Sequence, residues 1–415
     1  STKLIVEAVS IIEQNRQQTG EFYAIGLRQL GLNALRTGDV PSAMNHLKRS
    51  TAAFEAHQPR HAMRASAHRW LGKAYIALDN FPEAESELRR SIELSPQQDQ
   101  FRDFGVGAGR YSLAELFLRA GRFAEAEREL QEALAINTKT LGPRHHSLAL
   151  VHAALGLSRH QLGQAEAARA SFAAALDIAA RDASPQVGNT PDRVNLALAQ
   201  LAIDEGRIDE AMTRTEAAAA RWQASSDPVA ATVLVMRAET LLLVGRHDDA
   251  LKAIERALGV IRSQLGADGL SMHEAQVVLG EIQEHRAAID EARLAYAAAL
   301  AGSPRDASAA SPTQATMRAR AKLGMARLGL VADPGNALLL AREAQGLVAQ
   351  PAAAFRERLL AAQTQVLQAR ALTLTGQHDS GQRLHERAVE TIASLQAGQS
   401  PRLISGQPAV LTSAR

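Results

Sequence analysis

Three histidines, His57, His61 and His68, are spaced so that they would share one face of a helix. Imidazoles at such spacing are raw material for a zinc site, which needs three or four convergent ligands. The chain has no cysteine and few carboxylates stand near these positions, so they read as surface histidines and not as a metal site. A second group, Glu281, Glu284 and His285 with His273, has the residue types of acid–base chemistry but reads as a polar helix face. Gly105, Gly107 and Gly109 precede a helical stretch, and a glycine-rich entry to a helix can cradle phosphate. No strand pattern precedes them and no Lys-Ser or Lys-Thr follows, so they read as a mobile loop between helices. His145-His146 reads as part of a turn, and Trp70 and Trp222 as packing residues. No HExxH motif occurs and no Ser-His-Asp set can be assembled. The chain is therefore read as a non-enzyme, with no catalytic residue, metal or cofactor assigned.

What positions these side chains is a repeat. Nine times a small residue opens the pattern: Gly31, Gly72, Ala114, Gly156, Ala199, Ala238, Gly280, Gly324 and Ala369. A second small residue follows at Ala43, Ala84, Ala126, Ala168, Ala211, Ala250, Ala292, Ala337 and Gly381, and a third, Ala or Ser, seven positions later. The period is about 42 residues, the range of solenoids in which each unit buries its apolar face only against its neighbours. In the second repeat, Trp70, Leu71, Tyr75, Ile76 and Leu78 recur at helical spacing, and Asp79-Asn80 interrupts them. Pro82 then suits the first turn of a second helix, which carries Ala84, Leu88 and Ser91 on one face and ends at Ser95-Pro96. Gly72 in mid-helix predicts a close helix crossing against Ala84 and Leu88. Gly38, Gly121, Gly163, Gly206, Gly245 and Gly376 fall in the turn within each repeat, where a helix C-terminus favours positive φ. The residues predicted to fill the crossings are Leu47, Leu88, Leu130, Phe172, Ile254 and Tyr296; Thr215, Ala341 and His385 are smaller or polar substitutes.

The bulk numbers exclude several classes. The 415 residues are 46% hydrophobic but only 4% aromatic, as suits closely packed helices. Net charge is +2, which gives no electrostatic footprint for nucleic acid. The absence of cysteine excludes disulfides and thiolate chemistry, and no apolar run is long enough to span a membrane. The chain opens on Ser1, which is read as an excised piece of a larger protein. Residues 1–20 form an N-terminal helix, cap or half repeat; 21–301 hold repeats one to seven; 302–313 form a flexible joint; 314–395 hold two degenerate repeats; and 396–415 are a disordered tail.

This grammar resembles the tetratricopeptide repeat. The second repeat matches in Leu71-Gly72, Tyr75, Ala84, Leu88, Ser91 and Pro96, with His68 where the family favours Trp. The longer period is similar to the kinesin-light-chain variety found in bacterial multidomain proteins. Leu141-Gly142-Pro143-Arg144-His145 resembles that variety's inter-repeat loop, and Leu265-Gly266-Ala267-Asp268 a degraded copy. Its asparagine pair is mostly missing, with Asn195 alone near such a position, so its groove chemistry is not carried over. The resemblance implies an all-α, right-handed α-solenoid of about nine helix pairs plus an N-terminal helix.

The resemblance also implies that first helices line a concave groove. Groove positions then include Arg28, Leu32, Arg69, Lys73, Tyr111, Glu115, Leu157, Glu239 and Glu281, running from basic to acidic along the chain. Arg28, Arg69 and Lys73 are candidates for an anion site that takes a carboxylate-bearing peptide, against the alternative of solvated groove charges. The expected function is a protein-interaction scaffold or sensor module with a protein or peptide partner, in a signalling protein. The alternative is a small-molecule effector domain of a transcription regulator. No nucleic-acid or membrane partner is assigned, self-association through an end repeat stays open, and the expected compartment is the cytoplasm, or the periplasm if the parent protein is membrane-anchored.

Overall fold

The computed structural model describes residues 2–15, 20–95, 102–181, 188–222, 228–264, 270–301, 312–348 and 355–396. Among them the chain is all helix: α1 (Thr2–Gln14), then the pairs α2 (Glu21–Arg36) with α3 (Val40–His57), α4 (Met63–Ala77) with α5 (Phe81–Glu93), and α6 (Arg102–Arg119) with α7 (Phe123–Leu141). The series continues through α8 (Ser147–Gln161) and α9 (Ala165–Arg181), α10 (Thr190–Asp204) and α11 (Ile208–Trp222), and α12 (Pro228–Leu243) and α13 (His247–Gln264). It ends with α14 (Leu270–His285) and α15 (Ile289–Ala301), α16 (Pro312–Gly329) and α17 (Pro334–Val348), and α18 (Phe355–Leu374) and α19 (His378–Gln396). The expected joint at 302–313, the tail from 397 and the loop at Leu265 to Asp268 lie, wholly or nearly so, outside the described residues. The chain forms two compact units: Ser1–Arg159 with Ala170–Gly188, and His160–Arg169 with Asn189–Arg415.

Within each unit the small residues mark helix crossings. A Cβ built on Gly72 would lie 2.7 Å from Leu88 Cγ and 3.3 Å from the Ala84 carbonyl, so α4 can approach α5 only because the side chain is missing. Ala43, Ala84, Ala126, Ala168, Ala211, Ala250 and Ala292 are all buried, as are the partners Leu47, Leu88, Leu130, Phe172, Ile254 and Tyr296. Of the three substitutes, Thr215 and Ala341 are buried, while His385 is exposed and Leu384 packs inward beside it. The third position also ties helices together. Ser50 Oγ donates to the Ala24 carbonyl and Ser91 Oγ to the Ala65 carbonyl, both at 2.7 Å, satisfying buried hydroxyls on the neighbouring backbone.

The turns within repeats follow one pattern. All six glycines expected at positive φ adopt it, between 73° and 86°, and Asp79 and Ala287 take the same conformation at 55° and 59°. In the turns at Gly38, Asp79, Gly121, Gly206, Gly245, Ala287 and Gly376 the next residue's N–H returns to a carbonyl five residues back, as in Arg122 N to Phe117 O at 2.8 Å and Ala288 N to Gln283 O at 2.9 Å. The eighth pair differs because it has one residue more. Asp333 N instead reaches Gly329 O at 2.8 Å, and its carboxylate caps α17 by accepting from Asn336 N at 3.0 Å.

One expectation about the helices needs correction. The glycine-rich stretch is not a loop: Gly105, Gly107 and Gly109 lie inside α6. A Cβ on Gly107 would overlap Asn137 of α7, and one on Gly109 would lie 2.7 Å from Ile92 of α5, so close packing outweighs poor helix propensity there. The apolar residues of α1 also divide. Val9 with Ile5 and Ile12 covers Tyr23, Leu27 and Leu30 of α2, whereas Leu4 and Ile11 are exposed.

Candidate functional site

The first helices of the first unit bring three cations and one carboxylate onto one face. Arg28 lies on α2, Arg69 and Lys73 on α4, and Glu115 on α6, all half-buried. Lys73 Nζ donates to Glu115 Oε2 at 2.9 Å. The Arg69 guanidinium stacks on the Trp70 ring at 4.9 Å, and Lys73 Nζ approaches the same ring at 5.4 Å. Arg28 Nη1 donates a long bond to Ser66 Oγ at 3.4 Å, and its buried Nε has no partner among the described residues. Burial pulls the Arg28 guanidinium below its ordinary pKa. Burial does the same at Arg69, where Glu115 offsets part of the effect and Arg28 adds to it. Among the described residues neither arginine forms an ion pair. Leu32, Tyr111 and Leu157 are half-buried on the same series of helices.

The second unit solves its charges differently. Glu239 of α12 and Glu281 of α14 both accept from Arg320 of α16, at 2.9 Å from Nη2 to Glu239 and at 3.0 and 2.7 Å to the two oxygens of Glu281. Burial pushes the Glu281 carboxyl up, but Arg320, with Arg327 and His285, outweighs this and holds it below the usual range. The acidic stretch expected there is therefore bridged by an arginine across three successive first helices.

Tetratricopeptide-repeat profiles match residues 28–99, 107–181 and 196–268, together more than half of the chain. The chain belongs to the tetratricopeptide-repeat family. A comparison with curated proteins returned no match. Among solved structures, a Rap protein complexed with competence and sporulation factor is similar at TM-score 0.58 and 12% identity, over 91% of this chain and 99% of that one. The apo form of the quorum sensor NprR from B. thuringiensis is similar at TM-score 0.56 and 12% identity, over 92% and 99%. A weaker likeness, TM-score 0.40 and 22% identity over 48% and 95%, is to the nearly identical TPR-like repeats of a Podosopora anserina putative kinesin light chain. At these identities the first two likenesses show the fold alone.

The histidines of this repeat protein do not act together. His68 is buried, not on the surface, with Nδ1 2.6 Å from Glu87 Oε2 and Nε2 3.4 Å from Glu55. It stands where the tetratricopeptide repeat favours Trp, an inward position. His61 stacks on Phe54 with ring centroids 5.2 Å apart and lies 3.6 Å from Glu21. The second group also separates. His285 Nδ1 lies 2.8 Å from the Glu281 carbonyl, while Glu284, expected on a polar face, is buried and accepts two bonds from Arg327 at 2.7 and 2.8 Å. Both nitrogens of buried His273 lack partners among the described residues. His145 Nδ1 accepts from Ser147 N at 3.2 Å, as a turn residue at the start of α8.

Two polar contacts escaped the sequence pattern. Arg320 stands four residues before Gly324, one position off the row counted as groove-facing. His160 occupies a position that is mostly apolar in other repeats, and meets Asp204 in a buried pair at 2.8 Å, with Gln200 Nε2 donating to Asp204 at 3.1 Å.

Proposed function

We propose that this chain is a recognition module, a scaffold or sensor that receives a peptide or partner domain along the face of its first helices and catalyses no reaction. One observation carries the reading. On the first unit Arg28 and Arg69 are half-buried guanidiniums without carboxylate partners among the described residues, although burying an unpaired charge is costly. Several half-buried arginines elsewhere are paired, as Arg110 is with Glu129 at 2.6 Å and Arg159 with Glu127 at 2.8 Å, whereas Arg237 of α12 shares with Arg28 a buried Nε that has no partner among the described residues. An arginine left short of an anion on a recognition face is suited to receive one from outside, and carboxylates accept guanidinium bonds bidentately. An acidic peptide is therefore the ligand class, with Leu32, Tyr111 and Leu157 as apolar neighbours. The Rap protein bound to a factor and the quorum sensor NprR support a recognition role on the same fold. No helix among the described residues is long and apolar enough to cross a membrane, and we take the cytoplasm as the working compartment.

The test is binding of fluorescent degenerate peptides rich in Glu against the same pools with Gln. The Glu pool should bind more tightly, its advantage should shrink at high salt, and Arg28→Ala and Arg69→Ala should each weaken it about tenfold or more. Equal binding of both pools would defeat the acidic-peptide reading.

A further inference from the structure

Charge balance on this face goes further and rests on the acidic-peptide reading just given. Arg28, Arg69 and Lys73 bring three positive charges, and Glu115 brings the single negative one that pairs with Lys73. The face therefore holds an excess of two positive charges at two guanidiniums. Both stand at the same position of adjacent first helices, three residues before Gly31 and Gly72. They stand close together: Arg28 Nη1 reaches Ser66 Oγ of α4, three residues before Arg69, at 3.4 Å, and the Arg28 charge disfavours the charged form of Arg69. Arg28 keeps a buried Nε–H and Arg69 lays its guanidinium against the Trp70 ring; among the described residues that Nε–H has no acceptor and the Arg69 N–H groups make no protein bond.

A single carboxylate carries one negative charge and two oxygens, so it neutralises half the excess. Two carboxylates on neighbouring residues supply the charge but spread it, and bring the second close to Glu115. A phosphoryl group carries about −1.5 to −2 at neutral pH on three terminal oxygens, enough to accept from two guanidinium forks at once. We propose that Arg28 and Arg69 together form a receptor for a compact dianion, the phosphoryl group of a phosphorylated serine or threonine in a partner peptide. Glu115 sets the limit of the site. It holds Lys73 away from the ligand and repels any further negative charge beyond the dianion.

Four pools of fluorescein-labelled degenerate peptides test this on the full chain, with a fixed central phosphoserine, glutamate, Asp-Asp pair or serine, read by fluorescence anisotropy. The phosphoserine pool should bind at least about tenfold more tightly than the glutamate and Asp-Asp pools. Arg28→Lys and Arg69→Lys should erase that preference, since an ammonium lacks the planar fork, while far-UV circular dichroism and melting confirm that both variants fold. Glu115→Gln should tighten the phosphoserine pool several-fold, an opposite effect that no folding defect produces. Equal binding of phosphoserine, glutamate and Asp-Asp pools would overturn the dianion receptor and leave the acidic-peptide reading standing. A phosphoserine preference that survives in both lysine variants would place the receptor elsewhere and overturn it too. Binding by no pool would overturn both readings.

Discussion

The Tyr296 hydroxyl donates to Glu284 Oε2 at 2.8 Å across the α14–α15 pair, while its ring fills the space left by two glycines. A Cβ on Gly280 would lie 2.6 Å from Tyr296 Cδ1, and one on Gly324 2.3 Å from Cζ. One side chain of α15 thus sets the approach of α14 and α16. Gly324→Ala gains helix propensity of about 1 kcal/mol but must displace a fully buried ring, so a net loss of about 1–3 kcal/mol is expected. In a Tyr296→Leu background the same change should cost clearly less, because the ring is gone. Chemical denaturation gives the totals, and hydrogen exchange of α14–α16 amides shows whether the loss is local. Equal costs in both backgrounds would contradict this geometry.

Arg320 gives a prediction with a pH sign. Removing it leaves Glu239 and Glu281 as neighbouring carboxylates without their shared cation. Arg320→Ala should destabilise the second unit by about 2–4 kcal/mol at neutral pH, toward the range for breaking a partly buried pair. In the native protein Glu281 has a folded pKa below its unfolded value, so its contribution is present above the unfolded pKa and lost as pH falls through the folded one. In the variant, burial no longer opposed by Arg320 raises the folded pKa, so the deficit is present at neutral pH and shrinks as pH falls through that raised value. Denaturation from pH 7 to 4 reads the difference between the two proteins. A deficit that grows in acid would refute the assignment.

These two sites show what the sequence made legible. Helix crossings follow from residue size at fixed spacing, so Gly72 against Leu88 and Gly280 against Tyr296 could be placed from the repeat alone. Ion pairs depend on reach across repeats. Glu239 and Glu281 could be put on one face, but Arg320 lies one residue off the counted row, and only the stacking of α12, α14 and α16 brings it between them. His68 reads as a surface residue because imidazole is usually solvent-facing, but its position turns it inward onto Glu87. The glycines at 105, 107 and 109 looked like a loop because propensity argues against helix, while the contacts that favour helix, Ile92 and Asn137, belong to other helices. Local patterning thus carries the fold, and the site needs the contacts between elements.

The crossing at Gly72 offers a direct check on register. Gly72→Leu would drive a branched side chain into Leu88 Cγ, which already lies 2.7 Å from where a Cβ would stand. About 1–3 kcal/mol of destabilisation is expected, with hydrogen exchange rising first in α4 and α5. Leu88→Ala should recover part of the loss in the Gly72→Leu background although it is destabilising by itself. Recovery of that kind distinguishes overpacking from a change in helix propensity.

The turn residues give a stabilising change. Ala287 adopts φ 59°, where a side chain costs about 1–2 kcal/mol and glycine is nearly free of strain. Ala287→Gly should therefore stabilise the α14–α15 hairpin by about 1 kcal/mol, reduced by the greater freedom of glycine in the unfolded chain. Asp79 sits at φ 55° in the second repeat, but its carboxylate also accepts from Arg119 Nη2 at 2.7 Å. Asp79→Gly relieves the same strain and loses that ion pair, so its gain should be the smaller of the two. Asp79→Asn, which keeps tolerance of positive φ while removing the charge, separates the two contributions. Urea denaturation of all three variants should rank Ala287→Gly as the most stabilised, and a fall in stability for that variant would show that the turn carries no strain to release.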